Sequence, residues 1–213
     1  MRDLHCHILS GLDDGARSLS ESRKMLAAAQ QAGIDWIVAT PHVRRADFDR
    51  ALAVQRYQEL SVYAQEKEIR LDLGFEVHWN FLVTLEPELY AEYCIQGTRR
   101  ILIEFSLSAD DLPDGHDRKI YQLQRSGLIV VIAHPERYPF VQKDRTIAER
   151  WRDMGCELQL DANCLVHAYE RSSKPTARKL FKDGLFDHLC SDAHCTDDYS
   201  TFSEAMSWAK KHS

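Results

Sequence analysis

With 213 residues, 44% of them hydrophobic and 28% charged, the chain has the length of one domain and the composition of an ordinary globular protein. Its formal net charge of −6 excludes a dominating basic face, and with it nucleic acid as an expected partner. No window approaches the roughly 18 apolar residues of a spanning helix, and Met-Arg-Asp-Leu-His-Cys at the N-terminus lacks a signal-peptide core, so a cytoplasmic protein without membrane insertion is expected.

Strands and helices alternate from the start. The run DLHCH at 3–7 reads as a first strand, and Asp13-Asp14-Gly15 after it as a turn. A helix follows over 18–33, opened by a Ser18/Glu21 capping box, striped by Met25, Leu26 and Ala29, and closed at Gly33. DWIVATPH at 35–42 is the second strand, followed by a helix over 48–68, and RLDLGFEV at 70–77 is the third. The segment 83–93 has no clear period, and RRILIEFS at 99–106 is the fourth strand. Helices over 116–126, 144–154, 174–183 and 202–211 then separate and follow LIVVIAHPERY at 128–138, CELQLDAN at 156–163 and FDHLCSDAH at 186–194. Ile-, Val- and Leu-rich runs without clean alternation belong to strands buried on both faces. Seven strand–helix units with no interrupting linker predict one α/β domain over 1–213, a closed or nearly closed barrel.

Six cysteines, at 6, 94, 156, 164, 190 and 195, form no C-x-x-C pair and are expected to be free thiols, none of them the nucleophile of a C-x5-R phosphate loop. Cys6 and Cys195 adjoin metal-ligand candidates. Trp36, Trp79, Phe81 and Phe140 could line a mouth near the rim, but scattered aromatics usually belong to the core.

Polar residues close nearly every apolar run: His5 and His7, His42, Glu76, Glu104, His134 with Arg137, then Asp192 and His194. In a parallel barrel the strand C-termini converge, so these groups would share one rim. His5 and His7 stand at i, i+2, which on a strand points both rings to one face, and Asp192 and His194 repeat the spacing. So many ionisable groups in one place need compensating cations, and carboxylates such as Glu76 and Glu104 can bridge two of them. Imidazoles and carboxylates without a thiolate set suit manganese, iron or zinc better than calcium.

The motifs HCH at 5–7, TPH at 40–42, GFE at 74–76, IEF at 103–105, AHPERY at 133–138 and SDAH at 191–194 together resemble the polymerase and histidinol phosphatase (PHP) superfamily. The opening HILSGLDDGARSLSES, with ATPH after it, is most similar to the bacterial capsule and exopolysaccharide branch, metal-dependent protein-tyrosine phosphatases that act on a tyrosine autokinase. That resemblance implies a distorted (β/α)7 TIM-like barrel with two or three divalent ions, manganese foremost and iron or zinc as alternatives. One ion would be held by His5, His7, Glu104 and Asp192, another by Asp14, His42 and His194, and a third by Glu76, Glu104 and His134. Arg137, His42 and Asp192 would take part in catalysis, Arg137 on the phosphate, with a metal-activated water as nucleophile. The alternative for Arg137 is an ion pair with Glu136 or Asp144. The implied partner is a phosphotyrosyl protein, a bacterial tyrosine kinase; oligomeric state stays open. The rival readings are a small-molecule phosphatase or phosphodiesterase of the same superfamily, and a barrel that binds a kinase without chemistry.

The chain departs from the branch in two ways. The acidic CTDDYSTF follows His194 where members carry a further basic residue, a charge that Arg44 or Arg45 could replace from another loop. It is also shorter at its C-terminal end than members usually are.

Overall fold

Ile37, Val38 and Ala39, Ile101 to Ile103, and Val130 to Ala133 are all buried, so these runs have no solvent face and must be covered on both sides. In the computed structural model, which describes residues 1–167 and 172–212, they form parallel strands. The strands are β1 (Arg2–Cys6), β2 (Trp36–Ala39), β3 (His42–Val43), β4 (Arg70–Leu73), β5 (Glu76–His78), β6 (Arg100–Glu104), β7 (Ile129–Ala133), β8 (Glu157–Asp161) and β9 (His188–Cys190). The helices are α1 (Leu19–Gln31), α2 (Arg50–Glu66), α3 (Trp79–Leu82), α4 (His116–Arg125), α5 (Pro139–Lys143), α6 (Thr146–Asp153), α7 (Ser173–Lys182) and α8 (Thr196–His212). No helix among the described residues is long and apolar enough to cross a membrane.

β1, β2 and β4 pair in one sheet, and β3, β5, β6, β7, β8 and β9 follow one another in a second. The second and third expected strands are each broken in two, into β2/β3 and β4/β5. Pro41 offers no N–H to the ladder, and Gly74 packs against Ile95 so closely that a Cβ there would come within 3.0 Å of it. Hydrogen bonds carry the chain across the breaks: Gly74 N to Ala39 O at 2.8 Å and Glu76 N to Pro41 O at 3.2 Å. The ring returns on itself between β9 and β1 through a bridge between Cys6 and Ala193, with His7 N on Ala193 O at 2.8 Å and Asp192 N on His5 O at 3.0 Å. The fold is thus the distorted seven-unit (β/α) barrel.

Ser18 caps α1 as expected, its hydroxyl accepting from Glu21 N, while the Glu21 carboxylate takes the N–H of Arg17. Two short helices escape the pattern. α3 falls at the end of the GFEVHWN stretch and α5 just after ERY; both are too short to show a period. The segment 83–93 holds a 3-10 helix, Pro87–Tyr93. α8 starts at Thr196 rather than near 202, because Asp198 in its first turn reaches back to accept from His194 N and Cys195 N (2.8 and 2.9 Å), fixing the two residues before the helix as a capping box does. The acidic CTDDY segment is therefore a helix start, where negative charge is favoured.

Trp79, Phe81 and Phe140 are core residues, and Trp36 lies at the opposite end of β2 from the rim, under the guanidinium groups of Arg2 and Arg70. The buried Phe105 directly follows Glu104 and stacks on Trp151 with ring centroids 5.4 Å apart. Phe105→Ala is expected to cost about 3–5 kcal/mol, read as a lower urea midpoint with little change in slope.

Candidate metal centre

The loop after β1 is shaped by one glycine. A Cβ on Gly15 would lie 2.0 Å from His7 O, so only glycine lets the Asp13–Gly15 turn fold back over the strand end. That return brings Asp13 and Asp14 to His7, just past β1, and to His42 at the start of β3. Asp13 Oδ2 accepts from His7 Nδ1 at 2.8 Å and from His42 N at 3.0 Å, which orients the His7 ring with Nε2 inward. His5 is set in the same manner, its Nδ1 lying 2.8 Å from Gln159 Oε1 on β8. The His5 and His7 Nε2 atoms are then 3.3 Å apart, and both lie 3.2 Å from Asp192 Oδ1.

Three sets of donors gather here: His5, His7 and Asp192; His7, Asp14, His42 and His194; and His42, Glu76 and Glu104. His7 belongs to two of them, as does His42. His134 stands beside the third set, its Nε2 2.9 Å from Glu76 Oε1 and 3.8 Å from Glu104 Oε1. The structure thus brings His5, His7, Asp14, His42, Glu76, Glu104, His134, Asp192 and His194 into one cage, but groups them differently from the resemblance. Glu76 rather than Glu104 is the hub, and Glu104 is not within the His5/His7/Asp192 set. Asp192 and His194 fall in different sets, as the resemblance has them and against the i, i+2 expectation, because both lie beyond β9 and Asp192 turns the backbone at φ +49°.

Glu76 Oε2 tests whether cations fit. It lies 2.7 Å from His42 Nδ1, 3.4 Å from His5 Nε2 and 3.5 Å from His7 Nε2. Yet Glu76 Oε2, Glu104 Oε2 and His42 Nδ1 are buried and complete no hydrogen bond. Donor atoms that crowd together without pointing a proton at one another are arranged as ligands are, and this imidazole–carboxylate set accepts manganese, iron or zinc.

The electrostatics agree. Burial works against ionisation, but the His5 and His42 imidazoles hold Glu76 well below the usual carboxylate range. Against the same burial, Glu76 and Asp192 raise His5 to about 9. Glu104, desolvated and facing Glu76, is pushed up to about 9. Asp14, the most exposed cage carboxylate, is lowered chiefly by its hydrogen bond with His194.

Arg137 pairs with neither Glu136 nor Asp144: its Nη1 donates to Asp192 Oδ2 at 3.0 Å, on the edge of the cage. Arg44 reaches Asp14 Oδ2 at 3.6 Å from the β3 side, while Arg45 is exposed and takes no part in an ion pair among the described residues. A cavity of about 440 Å³ opens beside Glu104, with Arg44, His78, Asn80, Ser106 and Ser108 in its walls.

Cys94 does have an arginine six positions downstream, Arg100. The spacing is not a phosphate loop: Arg100 sits at the start of β6, the end opposite Glu104, and is tied to Glu157 by bonds of 2.7 and 2.8 Å. Burial pushes the Cys94 thiol up to about 11 and raises the other five thiols as well, so none is a ready nucleophile. A separate buried trio, Glu136, Asp161 and Cys164, also has metal-type donors, but it lies outside the cage sets. Asp13 and Gln159 are orienting residues without a motif of their own. Their only signal is a doubled aspartate in a turn and a polar residue inside the apolar ELQL run.

A parallel barrel whose C-terminal rim gathers imidazoles and carboxylates into one cage of metal-type donors defines the class of metal-dependent barrel hydrolases. The chain belongs to the capsular polysaccharide synthesis CpsB/CapC family, whose model matches residues 1–212. It is 30% identical over 204 residues to the tyrosine-protein phosphatase YwqE of Bacillus subtilis, covering 91% of this chain and 77% of that protein. It is also 30% identical over 211 residues to the tyrosine-protein phosphatase CpsB of Streptococcus pneumoniae. Among solved structures, one from work on these same two proteins, described there as metal-dependent tyrosine phosphatases, matches with TM-score 0.86 at 27% identity over 99% of this chain and 86% of that one.

Proposed function

We propose that this chain, acting as a single PHP-type barrel domain, is a metal-dependent protein-tyrosine phosphatase. Its substrate in this reading is a phosphorylated bacterial tyrosine kinase of capsule or exopolysaccharide synthesis, and manganese is the metal it uses in the cytoplasm. Its six free cysteines suit a reducing compartment. The observation that carries the reading is the convergence on Glu76 Oε2 of three imidazoles that complete no hydrogen bond with it, in a chain of the CpsB/CapC family.

Divalent ions, when bound, lower the pKa of water from ~15.7 towards neutrality and offset phosphoryl charge. The chain's own residues do the rest. Asp13 and Gln159 fix the His7 and His5 rings, so the cage geometry exists before substrate arrives. Arg137, held by Asp192, offers its guanidinium to the non-bridging oxygens of a phosphate at the cage. Arg44, at the other edge, supplies the positive charge that the acidic start of α8 lacks. Because tyrosine is a good leaving group, with a pKa of about 10, the site can operate without a dedicated general acid.

The test is hydrolysis of a phosphotyrosyl peptide with and without Mn²⁺, compared with histidinol phosphate and a phosphodiester. Peptide turnover that needs the metal and exceeds the other two supports the proposal; preference for either small substrate would contradict it. Arg137→Lys keeps one positive charge but loses the fork, and should lower kcat/KM on the peptide by about 10²-fold with metal content unchanged.

A further inference from the structure

The segment Ser191–Ala193 carries Asp192 into the cage through an unusual backbone, φ +49°, a region that a residue with a Cβ seldom occupies. Every polar backbone group of this segment is tied down. Ser191 N donates to Asp3 Oδ1 at 2.9 Å, and Ser191 O accepts from Asn163 Nδ2 at 2.9 Å. Asp192 N donates to His5 O at 3.0 Å, and Asp192 O accepts from His194 Nδ1 at 2.8 Å. Ala193 N donates to Ser191 Oγ at 3.0 Å, and Ala193 O accepts from His7 N at 2.8 Å. The Ser191 hydroxyl in turn donates to Asp3 Oδ2 at 2.6 Å. Asp3 therefore grips the segment with both oxygens, from a position on β1 two residues before His5, and both Asp3 and Ser191 are fully buried.

The grip lies where the barrel has no regular ladder. β9 ends at Cys190, and a single bridge joins β1 to the chain beyond it. A backbone bond network alone would permit the segment to settle into an ordinary extended path. The paired bonds from one carboxylate to an N–H and to a hydroxyl that itself holds the N–H two residues on specify the turn instead. The Asp192 carboxylate is then aimed at His5 and His7, and His194 is released towards Asp14.

We propose that Asp3 is a positioning residue of the metal centre, acting through Ser191 to hold Asp192 and His194 in ligand geometry. The inference rests on reading the cage as a metal site. Its test is Mn²⁺ affinity, measured by competition with a fluorescent chelator on the full chain, for wild type, Asp3→Ala, Asp3→Asn and Ser191→Ala. Thermal unfolding of the same proteins in EDTA is recorded alongside. Asp3→Ala and Ser191→Ala should bind Mn²⁺ about 10- to 100-fold more weakly than wild type, as loss of an orienting partner does. Asp3→Asn, which keeps an oxygen for the Ser191 N–H, should fall between them and wild type. If Asp3→Ala does not fold, Ser191→Ala and Asp3→Asn decide. Folded variants that lose thermal stability yet bind Mn²⁺ within about twofold of wild type would overturn the proposal, since Asp3 would then support the fold only. Wild-type protein that binds no Mn²⁺, Fe²⁺ or Zn²⁺ is a different failure: it overturns the cage reading, and the positioning role with it.

Discussion

Replacing Glu76 with glutamine should lower the number of bound metal ions and cut phosphotyrosyl-peptide turnover by roughly 10³-fold or more, while the barrel stays folded. The substitution keeps volume and shape in a fully buried site, so packing changes little. It removes the negative charge on which His5, His7, His42 and His134 all converge, at 3.4, 3.5, 2.7 and 2.9 Å. An amide nitrogen facing those rings cannot share an ion with them. Far-UV circular dichroism should be unchanged and elemental analysis should show fewer bound ions. A Glu76→Gln protein that keeps its metal and turns over within about tenfold of wild type would show that this carboxylate is only a structural partner of the histidines.

The second large effect is on pH. Ligands bind cations only after losing their protons, and in protein stripped of metal three cage groups hold theirs above neutrality: burial opposes the charge on His7, but Asp13 and Asp192 raise it well above the ordinary imidazole value. Burial opposes the charge on His5, but Glu76 and Asp192 raise it to about 9. Burial together with Glu76 pushes Glu104 up to about 9. Metal uptake near neutrality therefore displaces these protons, and affinity should rise roughly 100-fold or more per pH unit between about pH 6 and pH 8. Stability of the stripped protein runs the other way. All three groups are raised on folding, so the folded state binds more protons than the unfolded one, and stability falls as pH rises towards 9. Melting curves should show the EDTA-treated protein losing more midpoint from pH 7 to 9 than the Mn²⁺-saturated protein, since Glu136, which burial raises to about 8 outside the cage, titrates in both. Parallel falls in both preparations would mean that these groups are not the ligands.

Much of this site can be read along the chain because parallel barrels end their strands on one rim. His42, Glu76 and Glu104 each stand at or just beyond the end of an apolar run, and an apolar run is visible by composition alone. The breaks at Pro41 and Gly74 were not, since a two-residue interruption leaves the apolar pattern intact. Nor does spacing show which carboxylate is the hub. Glu76 and Glu104 sit on neighbouring strands, offset by two residues in register, and only the packing of His5, His42 and His134 around Glu76 makes it the hub. Asp13, Gln159 and Asp3 act across separations of 6, 154 and 188 residues, with no local motif to mark them. The i, i+2 rule brought His5 and His7 together, their Nε2 atoms lying 3.3 Å apart, but failed for Asp192 and His194 because the left-handed residue between strand and helix turns the chain.

The most direct measurement joins metal content to chemistry in one preparation: elemental analysis of the purified wild-type chain, then phosphotyrosyl-peptide hydrolysis before chelation, after it and after re-addition of Mn²⁺. The cage predicts two or three divalent ions per chain, activity abolished by the chelator and restored by the metal. Turnover that persists in fully metal-depleted protein would contradict it.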